Sequence, residues 1–234
     1  MAADKSPPNT DAAAASDDDI SWQAQKSAMT RDRILDATIN CFINLGYTNV
    51  TTAKVASTAG VSRGAMLHHF PSKTELIQAA VEYLHGKLLE DYTARVNAIP
   101  KGKKGKARRR AGLDAYWEYL VGDLATIYHE LCVAGRTDPE LQSILCSSSS
   151  RFAEHVHKTN SVLFEEWNDR GDRYLLAMDV VRFMMEGMAL GQLTVDRTQR
   201  IPKLLDYLGD RLEEIFEDSE SSAIGRHSNS NSNK

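Results

Sequence analysis

The chain has almost no strand-like alternation of apolar and polar residues along its 234 positions. Little room is left for a sheet, and the class expected is all-α. Prolines number six and glycines fourteen, and several of the prolines fall at segment edges. The three cysteines, Cys41, Cys132 and Cys146, are odd in number and widely spaced, which excludes a disulfide framework. Cys41 lies on an apolar helical face and reads as a buried thiol. No uncharged apolar run approaches the roughly 20 residues needed to span a bilayer. The first twenty residues lack an apolar core and carry Asp17, Asp18 and Asp19, so no secretory signal is read there and a cytoplasmic protein is expected. A nucleophile–base pairing, a phosphate-cradling glycine loop and a metal quartet are all missing, so no enzyme, cofactor or metal site is expected. His129 with Cys132, and His155 with His157, have metal-compatible spacings but no further ligands nearby.

What is present is unevenly charged. Ser27 to Glu75 holds five Lys/Arg against three Asp/Glu, or +2, whereas Gly112 to Asp218 holds ten against twenty, or −10. The amino-terminal part suits approach to a polyanion; the remainder suits a scaffold, pocket or dimer surface.

The expected division is an amino-terminal disordered arm over 1–25, a helical domain over 26–76, a second helical domain over 77–218 and a disordered tail over 219–234. About nine helices are expected. The first, about Arg31 to Leu45, carries the stripe Ile34, Ala37, Thr38, Cys41, Phe42 and Leu45, and Gly46 ends it. The second starts after the cap Thr51 and turns at Gly60, and Ser62 caps a third that reaches about Phe70. Ser72 and Glu75 form a capping box, so a fourth starts at Lys73 and reaches about Ile99. A basic stretch, "PKGKKGKARRRAG", follows. The fourth helix carries it roughly 40 Å from any duplex held at Lys73, so it reads as a solvated, mobile loop. Later helices are expected over about Leu113–Ala134, from a cap at Thr137 or Asp138, over Ser150–Asp169, over Tyr174–Val195 and over Ile201–Glu217.

Two short helices joined by a glycine turn on a longer first helix make a helix-turn-helix. Within the third stands Gly64, where glycine is about 1 kcal/mol worse than alanine. A missing side chain there admits sugar, phosphate or a thymine methyl close to the backbone. Arg63 suits a bidentate pair with guanine or a phosphate contact. Thr51, Ser62 and Lys73 stand at helix starts, where phosphates bind.

The segment "GYTNVTTAKVASTAGVSRGAMLHHFPSKTEL" resembles the DNA-binding domain of the tetracycline-repressor (TetR) family. The resemblance runs from near Thr30 to about Leu76 and is carried by Gly46-Tyr47, Thr51 ahead of Val55-Ala56, Ala59-Gly60-Val61-Ser62, Gly64, His69-Phe70 and Ser72-Lys73. It implies an all-helical homodimeric transcription regulator, most often a repressor released from a palindromic operator in double-stranded DNA by a small molecule. By position it implies DNA contacts from Thr51, Ser62, Arg63, Gly64, Ala65, His68, His69 and Lys73, with Tyr47 packing behind the motif. Leu67 stands where many members have a phosphate-binding tyrosine, and Val50 replaces a frequent threonine.

Gly187 and Gly191, with Leu204, Leu205, Leu208 and Leu212, are expected to form the dimer interface of two helices from each copy. Trp117, Tyr128, Trp167, Met178, Phe183, Met184 and Met185 are expected to line a pocket for a small, partly apolar organic effector. The alternatives are a protein-interaction adaptor that has lost DNA, and a helical enzyme using the carboxyl-terminal bundle.

Overall fold

The computed structural model describes residues 17–163 and 171–228, with side chains described over 22–161 and 171–214. Among the described residues there are nine α-helices and no strand: α1 (Asp17–Leu45), α2 (Thr52–Ala59), α3 (Arg63–His69), α4 (Lys73–Asn97), α5 (Gly105–Leu120), α6 (Asp123–Gly135), α7 (Pro139–Leu163), α8 (Gly171–Gln192) and α9 (Ile201–Ser228). The all-α expectation and the helix-turn-helix at the amino-terminal end are both met.

Apolar side chains gather in two clusters. One joins α1 to α4 with α6 and α7, through Phe42, Met66, Phe70, Leu84, Leu131 and Leu141. The other joins α5, α8 and α9, through Leu113, Leu120, Val181, Met185 and Leu208. Helix α4 packs on α1 and α7 of the first cluster and also on α5 of the second, so one helix runs past both.

Several boundaries differ from expectation. Helix α1 begins at Asp17 rather than near Arg31. Helix α9 likewise runs on to Ser228, into the segment expected to be a tail. The long helix expected from Leu113 breaks at Val121-Gly122. A Cβ on Gly122 would stand 3.2 Å from the Tyr119 carbonyl oxygen, and Gly122 N–H donates to that oxygen at 3.2 Å. The two helices expected from Asp138 onward are instead one, α7, capped by Asp138, whose Oδ1 accepts from Leu141 N–H at 3.0 Å. Within it, the Ser147 and Ser148 hydroxyls donate to the helix's own carbonyls at Ile144 and Leu145.

The basic stretch is the clearest correction. From Gly105 it is the start of α5, not a solvated loop. Lys106 pairs with Asp210 at 2.6 Å, Arg109 with Glu213, and Arg110 with Asp206 and Asp114. Three of these acids lie on α9, up to 104 residues away in the chain, so spacing along the sequence holds no trace of them.

Candidate nucleic-acid interface

Each helix start in the amino-terminal lobe is capped as its sequence dictates. Thr51 Oγ1 accepts from Lys54 N–H at 3.3 Å, and Ser62 Oγ accepts from Ala65 N–H at 3.1 Å. Both hydroxyls accept in these bonds, which leaves their own protons available to a phosphate. Ser72 differs, because it accepts from Glu75 N–H and donates to Glu75 Oε1. Between α2 and α3, Gly60 takes the left-handed conformation at φ 63°. Val61 N–H then reaches back to the Ala56 carbonyl at 3.0 Å, closing the turn.

Helix α3 is seven residues long, shorter than expected. Met66 and Phe70 pin it inward, both buried. Arg63, Gly64, Leu67 and His68 are exposed, and Ala65 and His69 are half-buried. A Cβ on Gly64 would meet only Ser62 Oγ, at 3.9 Å. Packing inside the chain therefore gives no reason for glycine at this position. Among the described residues no ion pair engages Arg63. Leu67 presents an apolar side chain on the same exposed surface, as contact with a thymine methyl requires. Burial, then His68, then Arg31 hold the His69 imidazole below its ordinary value, so it is a neutral hydrogen-bonding group at pH 7. Arg31 itself, a cation the sequence did not single out, lies over the Phe70 ring at 4.7 Å.

Behind this surface, three polar contacts tie the unit to α6 and α7. Tyr47 N–H donates to Glu130 Oε1 at 2.7 Å, the Tyr47 hydroxyl to Asp138 Oδ2 at 2.8 Å, and the Thr74 hydroxyl to Glu140 Oε1 at 2.6 Å. Gly46 is required here, with φ at 72° and a would-be Cβ only 3.0 Å from Glu130 Oε1. Burial and then Asp138 push the Tyr47 phenol well above its usual range, so it stays a donor. The Leu141 N–H and then the Tyr47 hydroxyl hold the Asp138 carboxyl below its ordinary value. The exposed Lys73 places its ammonium 5.7 Å from the centre of the Tyr47 ring. Tyr47 thus packs behind the motif as expected, but its link to Asp138 spans 91 residues and no local pattern announces it.

The residues expected to line a pocket do not converge. Tyr128 packs with the first cluster, while Trp117, Met178 and Met184 pack on the second and Met185 is core. Phe183 is 66% exposed, so it faces away from the interior. Trp167 lies outside the described residues. A cavity of about 310 Å³ opens elsewhere, between α4 and α7, with His85 and Phe152 in its wall. The dimer expectation also needs correction. Leu205, Leu208 and Leu212 are buried inside the protomer, with Leu113 and Leu120 in the same cluster. Leu204 is half-buried, and Gly187 and Gly191 are exposed. Among the described residues no helix is long and apolar enough to cross a membrane, and no group of three or more His, Cys, Asp or Glu is placed to hold a metal.

A short, outward-facing helix in a capped helix-turn-helix is the arrangement that DNA-binding proteins of this class set into a major groove. The description "Bacterial regulatory proteins, tetR family" matches residues 34–80. The chain is 34% identical over 120 residues to the HTH-type transcriptional regulator CymR of Pseudomonas putida, covering 51% of this chain and 58% of that one. It is 29% identical over 135 residues to an HTH-type transcriptional regulator of Mycobacterium tuberculosis, covering 58% of this chain and 68% of that one. In fold it is similar to a TetR-family transcriptional regulator from Mesorhizobium loti, with a TM-score of 0.63 and 17% identity over 82% of this chain and 96% of that one. The chain is thus similar to TetR-family transcriptional regulators, whose DNA-binding domain its residues 34–80 match.

Proposed function

We propose that the chain acts as a homodimeric repressor that holds a palindromic operator and leaves it when a small organic effector binds the carboxyl-terminal lobe. The observation that carries the DNA part is the exposed face of α3, with Arg63 unpaired and space in front of Gly64. Arg63 reads bases, the hydroxyls of Thr51 and Ser62 and the ammonium of Lys73 hold phosphates, and Gly64, Ala65, His68 and His69 complete the contact surface.

Helix α8 supports the dimer. Its inner stripe, Ala177, Val181 and Met185, is buried in the protomer. A second stripe, Leu176, Val180, Phe183 and Leu190, is exposed, with Gly187 between them. These positions recur every three or four residues and so share one helix face. A second copy packed on that face, flanked by Leu204 and Tyr207 of α9, would remove it from water and set the recognition helices roughly 34–36 Å apart.

The route from effector to operator is built into α4 and α7. The cavity residue His85 lies twelve positions after Lys73, about 18 Å along α4. On α7, Ser148 and Phe152 lie beyond Asp138, which holds Tyr47. A ligand that parts α4 from α7 acts on Lys73 and on the Tyr47 contact together. It shifts the population by its differential affinity for the two arrangements.

Selection of bound fragments from random duplex by the full chain tests this reading. An inverted repeat should emerge, and Arg63→Ala should lose the preference for it. Enrichment of no sequence, or a variant that selects as the parent does, contradicts the reading.

A further inference from the structure

The cavity between α4 and α7 has a chemistry more particular than an apolar hole. Two buried polar side chains stand in its wall, His85 at 7% and Ser148 at 3% exposure. His85 Nε2 is shielded from water and has no hydrogen-bond partner, so a ligand group in the cavity meets it when the imidazole turns toward that space. A buried polar atom left unpaired is costly, so a group that satisfies this one gains affinity. Ser148 already donates its hydroxyl proton to the Leu145 carbonyl at 3.3 Å, which leaves its oxygen as an acceptor. Burial drives the His85 pKa down to about 4, with Arg151 adding to the effect, so the imidazole is neutral at pH 7. Neither wall group calls for a charge.

The charges at the cavity are closed against each other. Arg151 pairs with Glu82 at 2.9 Å, so the two charges at the rim offset each other and leave no single charge to be met by a ligand. Shape is set by two rings. Phe152 lies parallel to His85, with ring centres 4.4 Å apart and planes 11° from each other. Opposite in kind is Gly86, inside α4, where a Cβ would meet nothing within 4 Å. Glycine there weakens the helix relative to alanine, and no neighbour among the described residues demands it. It keeps space open in a cavity of about 310 Å³, the lower end of small-molecule sites.

From these features we infer that the cavity takes an uncharged, flat aromatic molecule carrying a hydroxyl group, of the phenol or naphthol class. The hydroxyl both accepts and donates, so it can take the His85 N–H and give its proton to Ser148 Oγ, while the ring lies against the aromatic and aliphatic wall. This deepens the effector reading above and rests on it, since it gives that effector its chemical class.

Calorimetric titration of the full chain at pH 7 with four probes of one shape tests the inference: 2-naphthol, naphthalene, 2-naphthoate and 2-naphthylmethylammonium. The expected result is 2-naphthol bound about tenfold tighter than the other three, the worth of one net hydrogen bond. His85→Phe, which keeps a ring and removes the nitrogen, should bring 2-naphthol to the level of naphthalene. Gly86→Leu, at an exposed helical position, should abolish binding of all four with helical circular dichroism retained. A charged probe that binds as tightly as 2-naphthol, or 2-naphthol binding that survives Gly86→Leu, overturns the inference. Should 2-naphthol bind with the stated preference yet leave the chain on its operator, the cavity chemistry stands and the effector role falls.

Discussion

The two lobes dispose of their polar groups in opposite ways. In the carboxyl-terminal lobe, cations are closed by acids of the same chain: Lys106, Arg109 and Arg110 meet Asp210, Glu213 and Asp206. In the helix-turn-helix, Arg63 faces solvent and Thr51 and Ser62 keep a proton to donate. A run of seven basic residues in ten, Lys101 to Arg110, is thus the weaker indicator of nucleic acid, and one arginine beside a glycine the stronger. The difference teaches that density of charge along a sequence says little until its partners in space are known.

The comparison can be broken most severely from beneath α3. Phe70→Ala should cost about 3–5 kcal/mol in denaturant unfolding and remove operator binding, because the buried ring seats the recognition helix. Arg63→Ala should leave stability alone and lower operator affinity by up to about 3 kcal/mol in a gel-shift titration. Lys73→Ala should instead weaken every duplex and reduce the salt slope by about one. In the other lobe, the His85 pKa of about 4 in the folded chain lies below its ordinary 6.5. The unfolded chain therefore binds the proton first. Its contribution is complete well above pH 6.5 and is lost as pH falls through the window toward pH 4, by about 2 kcal/mol at pH 5. Unfolding at pH 7.5 and pH 5 should show that loss, and His85→Phe should lack it. Tyr47→Phe deletes the bond to Asp138 at a cost of about 1 kcal/mol; operator binding should persist while effector-driven release weakens. The smallest effect belongs to Arg110→Ala, at most about 1 kcal/mol in thermal unfolding, with DNA affinity unchanged. A loss of affinity in that variant would reopen the basic segment as a nucleic-acid contact.

Much of the first lobe was legible because its signals are local. Thr51, Ser62 and the Ser72–Glu75 box each act within three residues, and Gly60 acts at its own φ, so spacing suffices to place α2, α3 and the start of α4. The second lobe depends on partners far apart in the chain. The stripe through Leu113, Leu120 and Leu131 reads as one helix because periodicity continues across Gly122, whose role appears only in its contact with the Tyr119 carbonyl. The stripe Leu205, Leu208 and Leu212 looks too apolar for water, and so it is, but its cover is α5 and α8 of the same protomer. Periodicity shows that a face is buried and never what buries it. For the same reason Met178, Phe183 and Met185, all on α8, do not line one cavity, because helical rotation sends Phe183 outward and Met185 inward. Gly86 does not end α4, which runs through it, and the space it leaves becomes visible only beside α7.

Gly64→Leu is the most direct trial of the regulator reading. Among the described residues, none occupies the space in front of residue 64 beyond Ser62 Oγ at 3.9 Å, and leucine is a better helix former than glycine by several tenths of a kcal/mol. Thermal unfolding of the variant should therefore be unchanged or slightly higher, while its operator binding falls by at least tenfold. A variant that is equally stable and binds operator as tightly as the parent would contradict the claim that α3 meets the duplex through this face.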